Sequence, residues 1–406
     1  MLPFLTTKYV GLGGVIKTRA EDFFVEELPL YQPSGEGTHV YILIEKKEIS
    51  TMNAMTEIAR TLGIRRQDIG YAGQKDTRAV ARQWISVEHI KLEKLQALDI
   101  PKVKLLQFAR HGNKLKMGHL AQNRFAIRLR KIELLLPEAE KIAKGVFEIL
   151  SKKGVPNYFG PQRFGNRSDS HLLGEAIVKG KMEEFVDLFV GRPDSNELPA
   201  FSEARDLYDK GDYKGAYDKW PYSFADHRRA LRTLIETGGN KRKASNVVDK
   251  HLKKFFVSAY QSDLFNQILA ARMPNIDTLL TGDMAYKHAN GAMFKVEDAA
   301  VEQPRCDAFE ISPTGPLLGG RMAQLNGPAG EIENAILAKS PLNDRDLEQL
   351  ENYARGGRRP LRFQPQNWSV SSGKDELGNY LELKFALDSG CYATTVLREI
   401  TKTEIA

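Results

Sequence analysis

The sequence predicts an α/β chain of the α+β kind, in which both ends supply strands and the middle supplies mainly helices. Three observations predict it. Runs rich in β-branched and aromatic residues, HVYILIE (39–45) and QWISV (83–87), bracket a helical period in the first 150 residues. From about residue 168 to 273 the apolar spacing is mostly helical. Strand character then returns in ISPTGPLLGG and, near the C-terminus, in YLELKFAL. At 406 residues the chain has room for two domains, or for one domain carrying a large insertion.

Taken in order, the first helix starts at Ser50 or Thr51, either of which can cap it. Met52, Met55, Ile58, Ala59 and Leu62 fall on one face, and Gly63 supplies the stop. In 124–130 alternation puts Phe125, Ile127 and Leu129 on one face and Arg128 and Arg130 on the other, a strand with one basic face. Pro137 opens a second helix, carried by Ala139, Ile142, Val146 and Ile149 and ending before Gly154. The run NYFGPQRFGN then changes the composition to aromatic, Gly and Arg, which marks a boundary. Phe256, Tyr260, Leu264 and Ile268 typify the helical middle, where Arg228, Arg229, Arg232 and Lys241 to Lys243 form basic clusters. GGRRP (356–360) reads as a turn. After it, Leu381, Leu383, Phe385 and Leu387 share one strand face. A fifty-residue tail is short for an independent core, so a long insertion splitting one sheet explains why the tail resembles the N-terminal region.

Composition narrows the class. Apolar residues make up 42% and charged residues 27%, enough for a large core and against disorder. The two cysteines, Cys306 and Cys391, cannot form a disulfide framework or a thiolate zinc site, which points to a reducing, cytoplasmic compartment. No run of 18 apolar residues exists, and MLPFLTTKYVGLGG lacks the pattern of a signal peptide, so membrane and secreted readings fall away. The eight histidines show no metal-ligand spacing, and GLGGV lacks the context of a dinucleotide loop. No metal is expected. A net charge of +7 hints at a polyanionic partner. The tract 101–132, with nine Lys or Arg and no Asp or Glu, reads as a cationic surface on which Lys114, Lys116 and Arg124 are candidates for binding the phosphate backbone of a polyanion.

The strongest candidate for chemistry is GYAGQKDTRAVARQW (70–84). There Asp76 lies between Lys75 and Arg78, with Arg82 nearby, and adjacent cations favour the ionised carboxylate. Such a group is an anionic nucleophile or base; the competing reading is a surface Asp in a solvated charged turn. This segment resembles the signature of the TruD family of tRNA pseudouridine synthases. AEDFFVEELPLYQPSGEG (20–37), HGNKLKMGHLAQNRFAIRLR (111–130), GVPNYFGPQRFG (154–165), SAYQSDLFN (258–266), EISPTGPLLGG (310–320) and YATTVLRE (392–399) are similar to its other blocks, in family order.

The resemblance implies an isomerase that cuts the N-glycosidic bond of uridine 13 in tRNA and rejoins C1′ to C5, with no cofactor. It implies a pseudouridine synthase-type catalytic domain with a central, mostly antiparallel sheet, built from 1–156 and 357–406. A large, mainly helical insertion domain at 157–356 would split it and face it across a cationic cleft. It assigns Asp76 as the catalytic aspartate and Phe23, Asn123 and Phe385 as positions that hold the target nucleotide. Strand alternation by itself reads Phe125 and Phe385 as core, and position before a strand reads Asn123 as a turn residue. Lys17, Lys75, Tyr71, Phe125 and Glu399 are expected to support the pocket, Lys17 and Glu399 through pairing with each other or with Asp76. The expected partner is tRNA, with no membrane or protein partner, and a monomer. Ala121 and Gln122 stand where the family usually shows Gly before the Asn, and Asp388 where Pro is common, departures that bear on local loop shape. A non-catalytic tRNA-binding or folding factor on the same scaffold, and a hydrolase releasing free uracil, are the competing functions.

Overall fold

The computed structural model describes residues 2–404 except 91–93, 96–97, 196, 321, 324 and 340. Two compact units emerge, one from Phe4–Val155 with Phe363–Thr403 and one built on Pro156–Arg362. In chain order the elements that position the sites are β1 (Phe23–Pro29), β2 (His39–Lys47), α1 (Thr51–Leu62), β3 (Gly70–Tyr71), β4 (Val80–Glu88), β5 (Val103–His111), β6 (Leu120–Arg130) and α2 (Leu136–Lys153). The other unit follows with α3 (Ser170–Val178), α4 (Met182–Val190), α5 (Pro199–Asp209), α6 (Tyr213–Lys219), α7 (Ala225–Glu236), α8 (Lys241–Asn246) and α9 (Lys250–Ala271). It continues with β7 (Met284–Lys287), β8 (Met293–Lys295), α10 (Ala299–Asp307), β9 (Ile311–Leu317), α11 (Gly327–Leu337), α12 (Asp344–Glu351) and β10 (Gly357–Pro360). The chain then returns to the first unit with β11 (Gln366–Asp375), β12 (Gly378–Asp388) and α13 (Ala393–Thr401).

The first unit is one mixed sheet in the order β11-β12-β6-β1-β4-β2-β5, with β3 pairing to β4; β1 and β4 run parallel and the other pairs antiparallel. The two C-terminal strands therefore extend the sheet that the N-terminal region begins, with Phe385 opposite Phe125 and Leu387 opposite Asn123. Alternation decides the faces. Phe23, Val25, Phe125, Ile127, Leu129, Leu381, Leu383, Phe385 and Leu387 are buried on one of them. α1 lies over the β2–β4 side, burying Met55 and Ile58 against Ile42, Ile44 and Ile85. Ser50, not Thr51, caps α1, accepting from the Asn53 N–H at 3.1 Å, and Gly63 ends it at φ 69°, where a side chain would be strained. Pro137 sits in the first turn of α2 and Gly154 follows its end.

Two expectations need correction. The strand with a basic face is neutralised: Arg130 is buried and makes paired hydrogen bonds of 2.7–2.8 Å to Asp22 and Asp375, while Arg128 reaches Asp375 and Glu382 at 3.4 Å. The acids lie on β11, β12 and the turn before β1, remote in sequence, so a composition window of 101–132 cannot reveal them. GGRRP is not a turn; Gly357–Pro360 is a strand paired with β9, its Arg358 buried against Glu333.

In the second unit, α3 to α9 enclose a core of Phe185, Phe189, Trp220, Leu231, Leu234, Phe256 and Tyr260. Helix α9 approaches α3 so closely that a Cβ on Gly174 would lie 2.1 Å from the Phe256 carbonyl oxygen, which only glycine allows. A four-stranded sheet, β10-β9-β7-β8, completes this unit.

Candidate active site

The loop between β3 and β4 carries Asp76, and three side chains fix its backbone. Lys46 ends the inward alternation Ile42, Ile44, Lys46 of β2; its Nζ donates to the Asp76 carbonyl at 2.7 Å and to the Ile49 carbonyl at 2.8 Å. Thr51 Oγ1 accepts from the Lys75 N–H at 2.9 Å and donates to Gln83, whose amide donates to the Gly73 carbonyl. Lys46 is fully buried, and desolvation pulls its ammonium down to about 8, against the raising influence of Asp76. The backbone is thus held from below while the Asp76 carboxylate remains about half exposed, at 52%.

Around that carboxylate the sheet assembles two groups. Lys17 Nζ pairs with Asp76 Oδ2 at 2.7 Å and lies 4.5 Å from the centroid of the Phe23 ring. Lys17 holds this position from a left-handed backbone, φ 56°, uncommon for a residue with a side chain. Phe23 meets Phe125 edge-on at 6.1 Å, and Phe125 stacks on Phe385 at 5.4 Å. In the second group the β1–β6 register sets Glu27 opposite Asn123, and Lys75 joins them. Its Nζ donates to Asn123 Oδ1 at 2.7 Å and lies 3.0 Å from Glu27 Oε2. Glu27 is buried, which raises its carboxyl above the usual range despite the opposing charge of Lys75.

Asp76, Lys17, Lys75, Phe23, Asn123 and Phe125 are therefore neighbours. Phe385 is 1% exposed, packed between Phe125 and Phe147, so its ring backs Phe125 instead of offering a face to a ligand. Tyr71 turns to α1, its hydroxyl on Met52 Sδ at 3.4 Å, and packs into the core beneath that helix. Glu399 pairs with neither Lys17 nor Asp76: its two carboxylate oxygens accept from the Leu5 and Thr6 N–H groups at 2.9 and 3.0 Å, and Lys402 lies beside it. It clamps the N-terminal segment to α13. Arg124 points to the face of the sheet opposite Phe125 and pairs with Glu26 at 3.0 Å. Lys116 is exposed, and Lys114 donates to the Gln67 carbonyl. Residue reading missed Glu27, Lys46, Thr51 and Gln83. For Glu27 and Lys46 a signal existed, since each is a charge at an inward-facing strand position where an apolar residue is due.

Chemically the site offers one carboxylate, one of its oxygens held by an ammonium, beside aromatic rings and an amide. Among the described residues no group of three or more His, Cys, Asp or Glu is placed to hold a metal ion, and no described helix is long and apolar enough to cross a membrane.

Comparisons with known proteins agree on one family. The model of the family described as tRNA pseudouridine synthase D (TruD) matches residues 2–400. A protein named tRNA pseudouridine synthase D from Geobacter metallireducens is 41% identical over 98% of this chain and 97% of its own length. Its namesake from Syntrophotalea carbinolica is 41% identical over the whole of both chains. A Methanosarcina mazei crystal structure carrying the TruD name superposes with a TM-score of 0.88 at 28% identity, over 99% of this chain and 96% of that one.

Proposed function

The chain belongs to the tRNA pseudouridine synthase D family, TruD, and on that footing we propose that it isomerises uridine 13 of tRNA to pseudouridine with Asp76 as the catalytic carboxylate. Isomerisation of a uridine in tRNA comes with the family; the position and the residue roles are the finer reading. The observation that carries it is the 2.7 Å Lys17–Asp76 pair above the Phe23 ring, in a loop whose backbone is fixed by three buried side chains.

The reaction breaks N1–C1′ and forms C5–C1′; C5 loses a proton and N1 gains one, so atoms and electrons balance within one nucleotide. What the protein must supply is an anion at the sugar or base and a hold on the detached uracil. Asp76 supplies the carboxylate, as nucleophile or base, and Lys17, 2.7 Å away, aims it. Rigid backbone anchors favour this chemistry, because an Å of misplacement costs about two orders of magnitude in rate. Lys75 occupies Asn123 Oδ1 and so leaves the amide NH₂ to donate to a uracil carbonyl. The Phe23 and Phe125 rings supply the apolar wall for a base that has left its stack. Phe385 sets the height of that wall.

The test is to incubate the protein with unmodified tRNA transcripts, map pseudouridine by carbodiimide modification and primer extension, and assay free uracil in parallel. A modification at uridine 13 without uracil release is expected. Uracil release without modification would establish the hydrolase, and tight binding with neither product would establish the binding factor.

A further inference from the structure

The helical unit holds a cavity of about 520 Å³ that the isomerisation does not use, within the size range of small-molecule sites. Its floor is a stack of flat rings: His227 lies parallel to Phe189 at 3.9 Å and to Trp220 at 4.8 Å. Phe201 meets Trp220 and Phe224 edge-on, and Phe224, 40% exposed, stands at the mouth. Two ion pairs line the wall, Arg205–Glu197 and Arg167–Asp169, each at 2.8 Å. Trp220 is buried, and its indole N–H has no acceptor among the described residues.

The chemistry of this cavity selects its ligand. Two guanidiniums and two carboxylates cancel. His227 is held neutral, down to about 3, by burial and then by Arg205 and Arg167. A phosphate would meet the carboxylates and a cation the guanidiniums, so neither is favoured. A flat, uncharged ring with both donors and acceptors fits the aromatic lining, the free indole N–H and the carboxylates. Unpaired bases in RNA are recognised in this way, by stacking on aromatic rings and hydrogen bonds to their edges. Carboxylate acceptors favour bases that carry an amino group.

We propose that this cavity is a second base subsite, which takes an unpaired adenine, cytosine or guanine of the RNA substrate, distinct from the uridine that reacts. The proposal rests on the tRNA reading above. The substrate is then gripped at a nucleotide outside its reacting centre, which contributes to the choice of RNA.

The experiment uses the full-length chain and an unmodified tRNA transcript, with affinity measured by filter binding and base exposure by dimethyl sulfate probing at A and C and kethoxal probing at G. Wild type should protect an unpaired A, C or G away from the reacting uridine. Phe224→Ala and Glu197→Gln should lose that protection and bind tRNA more weakly, Phe224→Ala by about tenfold to a hundredfold, the range expected for one lost base stack. Phe224→Tyr, which keeps the ring, should bind as wild type, and thermal melts of all variants identify any loss that comes from misfolding. Wild-type protections and affinity in folded Phe224→Ala and Glu197→Gln, with pseudouridine still formed, would overturn the subsite and leave the isomerase standing. A wild type that forms no pseudouridine on any transcript would overturn the parent reading and the subsite with it.

Discussion

Asp76 owes its place to atoms outside its own loop, and the most consequential is the buried ammonium of Lys46 beneath its carbonyl. Lys46→Met keeps the volume and removes both hydrogen bonds, so the single-turnover rate should fall about a hundredfold, measured by pseudouridine formation at saturating RNA. Stability should hardly drop at neutral pH, because an apolar isostere replaces a desolvated charge. The pH dependence gives a second readout. Burial lowers the folded-state value of Lys46 to about 8, below its value near 10.5 in the unfolded chain, so between these the unfolded state binds more protons and wild-type stability gains with rising pH. Chemical denaturation at pH 8 and pH 10 should show that gain in wild type relative to Lys46→Met. Phe385 belongs to the same scale but to packing. Phe385→Ala should cost about 3–5 kcal/mol of stability, seen as a lower denaturation midpoint, since a 1% exposed ring leaves a cavity between Phe125 and Phe147. A melt unchanged from wild type would return Phe385 to the ligand-facing side.

Among elements, the stacked layer that α4, α7 and the residue after α6 build in the helical unit is the acid-sensitive one. His227, between Phe189 and Trp220, is neutral in the folded state down to about 3 but titrates near 6.5 when unfolded. Between these values the unfolded chain binds the extra proton, so stability present above pH 6.5 is lost as pH falls. At pH 5 the loss is about 2 kcal/mol. His227→Phe should flatten that slope in urea melts between pH 7 and 5; an unchanged slope would assign the acid sensitivity elsewhere. The β5–β6 loop gives a prediction of the opposite kind. Lys116 is exposed while Arg128 and Arg130 of the following strand are committed to acids, so the RNA-facing charge of this tract is smaller than its composition implies. Reversing Lys114 and Lys116 together should weaken tRNA binding and reduce the slope of log affinity against log salt by about 0.7–0.9 for each phosphate no longer neutralised. Identical slopes would make these lysines solubilising residues only.

For the molecule as a whole, periodicity revealed the elements because it records burial. The α1 stripe from Met52 to Leu62, the α2 start at Pro137 and the β12 face Leu381–Leu387 all stand where apolar spacing puts them. What periodicity does not record is pairing between distant segments. Asp22 and Asp375 against Arg130, Glu27 against Lys75, and Glu399 against the N-terminal backbone each join residues far apart in sequence, and each changed the reading of a charged residue. The neighbourhood of Asp76 was legible through motif resemblance, and Lys46 through its break in the β2 alternation, while the Thr51 and Gln83 anchors emerge only in the folded chain, since a Thr at a helix start looks like a cap whichever way its hydroxyl points. We propose that this fold presents the Asp76 carboxylate to a uridine of tRNA, and Asp76→Asn is the decisive variant. The side chain keeps its shape and loses its charge. Single-turnover pseudouridine formation and tRNA affinity are measured on the same preparation, checked for deamidation. The expected rate is lower by at least about a thousandfold, with affinity within about threefold of wild type. Turnover by Asp76→Asn close to the wild-type rate would contradict it.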